Sequence, residues 1–380
     1  MKIVFIHHYY KNREASGENI VVDKHISALR EAGHQIHVIS RRSDEYLNSW
    51  KSIFKVGFTW ALNLGANPKS LINAIQPDMI IVHNLYPGFS SSWIKQISFP
   101  VILWLHNYRN FCIAATFFRN DSPCTICAKN ISLKSLFYRC GSKSIPQGLV
   151  EYSRLKFRRS LGETNCATKY VCLSERSKEF FRLTRINIDD VSTIPNFVSE
   201  TSKTGITRNN KWIYVGRLTP EKGILSLLQV FPSTVNLDVY GDGPLSEKLE
   251  SLSRDKTNIS FKGSVDHEML ESVLQDYTGA FVPSLWSEGI PTTFLEFCAS
   301  GIPVIAYHKN SAADYVLNND TGKVLYKFEM NEVESLVHQI VLKRDFYSQN
   351  AKRLWATEFT KEVWVRRVEA LIQNTTSELK

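Results

Sequence analysis

Two carboxylates eight positions apart, Glu288 and Glu296, frame the segment Ser287-Glu288-Gly289-Ile290-Pro291-Thr292-Thr293-Phe294-Leu295-Glu296. A strand-like run ending near Val282-Pro283-Ser284 precedes it and an apolar run follows, so the segment reads as a strand-to-helix turn. Gly289 lets backbone approach a ligand closely, and Pro291 suits a first helical turn. Glu288 then lies in the loop and Glu296 about one turn into the helix, on the order of 10 Å away. One carboxylate can accept hydrogen bonds from sugar hydroxyls and the other from ribose hydroxyls. The free N–H groups of the helix start would face a diphosphate between them. The plainer alternative makes Glu288 a helix-start acid and Glu296 a surface residue. Glu296, however, sits inside Phe294-Leu295-Glu296-Phe297-Cys298-Ala299, where a carboxylate is more often partnered or functional.

A second cluster is Gly216-Arg217-Leu218-Thr219-Pro220-Glu221-Lys222-Gly223, directly after the strand-like Trp212–Val215. An arginine and a lysine here meet a helix N-terminus, so backbone N–H groups, helix dipole and two cations converge as a diphosphate clamp. A solvated basic loop is the competing reading. Tyr240-Gly241-Asp242-Gly243-Pro244-Leu245 repeats the strand–turn–helix pattern and reads mainly as a tight turn.

Four of the seven cysteines, Cys112, Cys124, Cys127 and Cys140, fall close together. A C-x2-C pair with two flanking cysteines can bind structural zinc tetrahedrally. The outer spacings are not those of a standard finger, so reduced buried thiols and a redox-dependent disulfide stay open beside it. Two basic-aromatic stretches, Lys51, Phe54, Lys55, Phe58 and Trp60, and Tyr152, Arg154, Leu155, Lys156, Phe157, Arg158 and Arg159, suit either an anionic bilayer or an ordinary helix with one solvated face.

Such loops need strands to hold them. Lys2–Phe5, Gln35–Ile39, Ile80–His83, Val101–Leu105 and Tyr170–Leu173 are strand-like, and Ser192–Asn196 closes the series. Between the first two, Ile20, Val21, Val22, Ile26, Leu29 and Ala32 recur with helical spacing, and Gly33-His34 suits the C-cap. The unit is β-α-β, so the strands are expected to be parallel. The polar stretch Ser199–Asn210 reads as a linker. A second series follows at Trp212–Val215, Leu237–Tyr240, Ile259–Phe261, Gly279–Val282 and Pro303–Ala306, with helices such as Glu221–Val230 and Leu245–Leu252 between. Two such series predict two doubly wound α/β domains with ligands outside the carboxyl ends of the strands, and a cleft between facing domains is the default site. Trp355, Phe359, Trp364, Val365 and Leu371 mark a terminal pair of amphipathic helices.

Length and composition agree: 380 residues, 43% hydrophobic and 22% charged, describe two or three ordinary globular domains. The apolar run Ile3–Ile6 is too short for a secretion signal, and no run approaches the roughly 18 apolar residues that span a bilayer. A cytoplasmic protein, soluble or peripheral on the inner membrane face, is expected. Residues 1–200 carry 26 basic and 15 acidic residues, residues 201–380 carry 20 and 22, so the basic half should favour an acidic partner. No nucleic-acid recognition motif accompanies that charge.

Together, Gly216-Arg217 to Gly223, Tyr240-Gly241-Asp242-Gly243, Gly263-Ser264-Val265, Glu288-x7-Glu296 and Gly301-Ile302-Pro303-Val304 resemble the retaining glycosyltransferases of family 4, of the bacterial polysaccharide-building kind. Ser16-Gly17, Gly33-His34, His106-Asn107 and Pro195-Asn196 match the same family's N-terminal half. The resemblance implies the GT-B fold: two facing Rossmann-like domains, 1–198 on the acceptor side (with a Cys-rich insertion at about 107–145) and 199–360 on the donor side, and a terminal helix, 361–380, crossing back. It implies that Arg217 and Lys222 hold the donor diphosphate and stabilise the leaving nucleotide. By the same likeness, Glu288 binds the transferred sugar, Glu296 the ribose, and Gly289, Ile290, Pro291 and Thr292 present backbone. Gly17, Gly216 and Asn196 belong to the donor site, His106 touches the transferred sugar, and Ser264 and Val265 frame the base. The implied partners are a UDP- or GDP-sugar and a glycan or lipid-linked acceptor in surface-polysaccharide synthesis, with no metal required for the chemistry. The sequence departs from the pattern at Ser16-Gly17, where many members have two glycines, and at Phe197, where many have glycine. The competing classes are an NAD-dependent oxidoreductase, for which Gly241-Asp242-Gly243 supplies only half the G-x-G-x-x-G loop, and a non-catalytic nucleotide-sugar-binding protein of the same fold.

Overall fold

The computed structural model describes residues 1–10, 17–43, 65–140, 145–160, 166–200, 210–265 and 267–378. Ser16, the basic-aromatic stretch 51–60 and most of the linker lie outside them. The chain divides into a first unit, Met1–Arg119, Cys124–Ile194 and Val365–Lys380, and a second, Asn120–Pro123 and Pro195–Trp364.

The first unit is built on a six-stranded sheet ordered Gln35–Arg42, Lys2–Tyr9, Met79–Asn84, Val101–Leu105, Lys169–Cys172, Val191–Thr193. Every pair in it is parallel. Met79–Asn84 and Val101–Leu105 are buried throughout, as strands covered on both faces must be. The helix Gly17–Glu31 connects the first two strands and ends at Gly33 with φ 88°, the left-handed stop expected of it. It starts at Gly17, so Gly17 and Glu18 belong to its first turn rather than to a loop.

The second unit repeats the plan with the order Ile259–Gly263, Asn236–Tyr240, Lys211–Val215, Gly279–Val282, Val304–Tyr307, Gly322–Leu325. These pairs are also parallel. Gly322–Leu325 is too short an apolar run to stand out from sequence. Trp212 packs on Phe281, ring centroids 4.9 Å apart, at the centre of the core. Both sheets reverse their strand order beside the first strand of the series. Loops leaving the two strands at that reversal diverge to opposite faces and open a crevice where ligands bind.

The C-terminal helix Lys361–Glu378 changes unit part-way. Trp364 stacks near Phe197 at 5.3 Å in the second unit. Farther along, Glu369 meets His34 at 3.0 Å and Glu378 meets Lys169 at 2.8 Å in the first. The two-domain α/β architecture with a returning helix is that of the GT-B fold.

Candidate active site

In the second unit the reversal lies between Lys211–Val215 and Gly279–Val282, so the loops Gly216–Gly223 and Pro283–Pro291 are brought together. They pack tightly at Gly223: φ is 71°, and a Cβ there would lie 2.0 Å from the Pro283 carbonyl oxygen. Only glycine meets both conditions. Leu285 N donates to Glu221 O at 2.9 Å across the same seam. The result is a direct ion pair: Lys222 Nζ donates to Glu288 Oε2 at 2.5 Å, both side chains largely withdrawn from solvent. The second oxygen, Glu288 Oε1, is buried and has no hydrogen-bond partner among the described residues. A shut-in carboxylate oxygen without a donor needs an explanation, and a ligand hydroxyl provides one.

Lys222 does not open an α-helix as expected. Pro220–Lys222 is a single 3-10 turn that stops at Gly223, and the helix proper is Ile224–Gln229. The left-handed glycine breaks the run that reads as Glu221–Val230. Arg217, by contrast, has a side chain 67% exposed and only a 3.5 Å contact with Glu221. Tyr214, which sequence reading missed, donates its hydroxyl to the Arg217 carbonyl at 3.0 Å, and burial raises its pKa.

Glu296 lies in Thr292–Ala299, a helix whose last six residues, Phe294–Ala299, are all buried. Pro291 is extended and precedes this helix as its cap, not in its first turn. No side chain caps it, so its first N–H groups stay available for an anion. Asn310 and Ser311, also missed, brace the Glu288 loop: Asn310 Nδ2 donates to Val282 O at 2.8 Å and Ser311 Oγ to Glu288 O at 2.5 Å. Ser264 is exposed and Val265 half-buried just beyond Ile259–Gly263. Asn196 is buried with Oδ1 unpartnered among the described residues. Gly241 has φ 140° and would place a Cβ 1.9 Å from Gly216 O, while one at Gly243 would lie 2.5 Å from Leu218 O. Main-chain atoms of the Gly216–Gly223 loop pack directly against both glycines.

In the first unit, His106 follows Val101–Leu105 at its carboxyl end, and His83 Nδ1 meets His106 Nε2 at 2.8 Å. His7 Nε2 meets Asn19 Oδ1 at 3.0 Å. Burial lowers the pKa of His106 to about 3 and of His7 to about 4, and takes His25 and His83 well below the ordinary value, so these rings are neutral. For His7, His83 and His106 the signal in the sequence is a histidine near the carboxyl end of three successive sheet neighbours. Gly17 is exposed, and a Cβ there would meet nothing within 4 Å, so packing alone does not demand glycine.

The four clustered thiols are free, and among the described residues no three His, Cys, Asp or Glu side chains gather closely enough to hold a metal ion. They do sense one another: burial, then Cys112, Cys127 and Cys124, push Cys140 up to about 11. The stretch Arg154–Arg159 is a two-sided helix segment, with Lys156 and Phe157 exposed. Arg154 and Arg158 are buried, and Arg159 donates to Cys127 O and Phe111 O, both at 2.7 Å. Among the described residues no helix is long and apolar enough to cross a membrane.

Comparison with known proteins bears on this geometry. Residues 15–201 match the family model described as Glycosyltransferase Family 4, and residues 199–354 match Glycosyl transferases group 1. A GDP-mannose-dependent alpha-(1-6)-phosphatidylinositol monomannoside mannosyltransferase of Mycobacterium tuberculosis is 29% identical over 35% of this chain and 38% of its own length. A lipopolysaccharide 1,2-N-acetylglucosaminetransferase of Salmonella typhimurium is 26% identical over 54% of this chain and 62% of its own. The chain thus spans between about a third and two thirds of these curated relatives. The structure of Anabaena HepE in complex with UDP-glucose superposes with a TM-score of 0.62 at 14% identity, covering 98% of this chain and 99% of that one. Two family models that between them run from residue 15 to residue 354, on a fold of two parallel-sheet units, place the chain among the family 4 glycosyltransferases of GT-B architecture.

Proposed function

We propose that the chain transfers a hexose-type sugar from a UDP- or GDP-sugar to a glycan acceptor, with retention of configuration. The observation that carries this is the Lys222–Glu288 pair at the strand-order reversal, with Glu288 Oε1 shut in and unpartnered among the described residues. Lys222 and Arg217 offer positive charge where the leaving diphosphate becomes more negative. The free N–H groups before Phe294 add to that charge, Glu288 accepts from the sugar hydroxyls, and Glu296 from the ribose. The bond from the anomeric carbon to the diphosphate oxygen breaks, the bond to the acceptor oxygen forms, and the acceptor proton passes to the departing phosphate. His106, neutral, positions a sugar hydroxyl. This reading assigns the catalysis to side chains and backbone, with no protein base.

The acceptor fits a lipid-linked glycan at an anionic membrane face, as in surface-polysaccharide synthesis. Leu133, Phe137 (84% exposed), Tyr138 and Leu149 stand out beside exposed Lys129, Lys134 and Arg139. Exposed apolar side chains interspersed with cations along the chain suit the interface of an acidic bilayer. The dinucleotide reading is weaker, since Gly241-Asp242-Gly243 lacks the third glycine of the G-x-G-x-x-G loop.

A thermal-shift screen against UDP- and GDP-sugars tests the donor, because a ligand of the folded state raises its stability. One donor should raise the melting temperature, and Glu296→Ala should weaken its binding about 10-fold, the worth of a hydrogen bond to a charged group. A shift with NAD alone, or equal donor affinity in folded Glu296→Ala, overturns the assignment.

A further inference from the structure

The first unit has a cavity of its own at the carboxyl ends of Met79–Asn84 and Val101–Leu105, and its wall includes Glu18, Asn84, His106, Arg109, Asn110 and Arg158. We propose that this cavity receives a negatively charged group of the acceptor, a phosphate or a carboxylate, with Arg109 as its principal ligand. The proposal rests on the transferase reading only in calling the ligand an acceptor.

Arg109 is held in place by uncharged hydrogen-bond partners. Its Nη1 donates to the Tyr10 hydroxyl at 2.5 Å, and its backbone N–H to Asn107 Oδ1 at 2.9 Å. The guanidinium carbon lies 4.8 Å from the Tyr86 ring centroid and 5.4 Å from that of Tyr10. Phenol and rings fix the plane of the fork but carry no full charge. Arg158 is oriented in the same manner, Nε donating to Ser91 Oγ at 2.9 Å and Nη1 to Asn110 Oδ1 at 3.4 Å. Behind them Arg154, 1% exposed, faces the Tyr86 ring at 5.5 Å and donates to Glu151 at 3.3 Å.

Two carboxylates oppose these guanidiniums, and burial weakens both: Glu18 is pushed up to about 7, and Glu151 is raised. At neutral pH the wall therefore keeps an excess of positive charge in a desolvated place. Planar, buried guanidinium groups are matched best by a bidentate anion. Independently, residues 1–200 carry 26 basic against 15 acidic residues while residues 201–380 are nearly balanced, so a negative ligand is steered toward this half. Neither a neutral sugar nor an apolar tail would use that arrangement.

The test is calorimetric titration of the full chain with sodium phosphate, with glucuronate and with neutral methyl glucoside. At least one anion should bind and the glucoside should not. Arg109→Gln should weaken the anion about 10-fold or more, and Arg109→Lys, which keeps the charge but loses the fork, should fall between. Phosphate tighter than glucuronate indicates a phosphorylated acceptor, and the reverse an acidic sugar. Anion binding that is absent in the wild type, unchanged in both variants, or matched by the glucoside overturns the proposal. A melting curve checks that each variant folds, and Arg109→Lys carries the test if Arg109→Gln does not. Separate titration with UDP and GDP reports on the donor half, so failure of the donor reading is seen independently.

Discussion

The two units share a topology and reverse strand order at the same point, yet the polar groups at the two reversals are of opposite kinds. In the second unit a lysine and a carboxylate meet directly, Lys222 against Glu288. In the first, the sheet ends in histidines kept neutral by burial, His7, His83 and His106. The fold fixes where a site lies, and side-chain chemistry decides what it can hold. A charged pair that can open suits a ligand whose charge grows during reaction. Neutral rings in fixed hydrogen bonds suit orientation of hydroxyls, and the arginines beside them suit an anion already formed.

Lys222→Ala breaks the ionic side of the comparison and has the largest expected effect. Turnover should fall about 100- to 1,000-fold, as when a preorganised donor to a developing anion is removed. Glu288 would also keep a buried carboxylate without its cation, so the second unit should lose stability, by about 1–3 kcal/mol. Steady-state kinetics and urea unfolding read the two effects separately. Full turnover in a folded variant would remove Lys222 from the chemistry. Unchanged stability would mean that Glu288 finds another partner.

Acid should have the next largest effect. His7, His8 and His106 have folded pKa values of about 4, 3 and 3, below the ordinary 6.5, and His25 and His83 are lowered as well. All five lie in the first unit. Their unfolded forms bind protons first, so the stability they contribute is full above pH 6.5 and is lost as pH falls toward 3–4. Each histidine costs about 1.4 kcal/mol per pH unit in that window. Glu18, raised to about 7 from 4.5, works in the opposite direction between those values and offsets about one of them. Urea midpoints at pH 7.5, 6 and 5 should therefore fall steadily, the first unit unfolding before the second. A flat profile over that range would mean that the rings are not shut away from protons.

Much of this was legible in the residues, and what was not has a common physical cause. Strand–turn–helix at Gly216–Gly223 and at Glu288–Glu296 is local, so apolar runs and turn residues suffice to place it. That Lys222 and Glu288 touch is not local: it follows from Lys211–Val215 lying beside Gly279–Val282, a strand order that periodicity does not encode. The His83–His106 bond arises in the same way, from neighbouring strands. Helix Glu221–Val230 was misjudged because helical spacing continues across Gly223, whose left-handed backbone answers to Pro283, sixty residues on. Arg154 and Arg158 looked like a solvated face because composition shows that a helix is two-sided, not which side is covered.

Arg217 provides the smallest effect on stability and the finest division within the donor half. Its side chain is 67% exposed and its contact with Glu221 is 3.5 Å, so the pair holds little in place, about 0–1 kcal/mol. Lys222 is fixed in advance by Glu288, whereas Arg217 can close on a ligand only once one arrives. Arg217→Ala should therefore leave the urea midpoint almost unmoved while weakening nucleotide-sugar binding and lowering turnover. Arg217→Lys should recover part of both, since charge survives but the two-pronged geometry does not. If Arg217→Ala instead costs as much stability as Lys222→Ala, Arg217 is a structural cation and the donor half has one catalytic charge rather than two. If neither variant changes binding, the exposed guanidinium stays in solvent when donor is bound, and the diphosphate is held by Lys222 and the start of Thr292–Ala299.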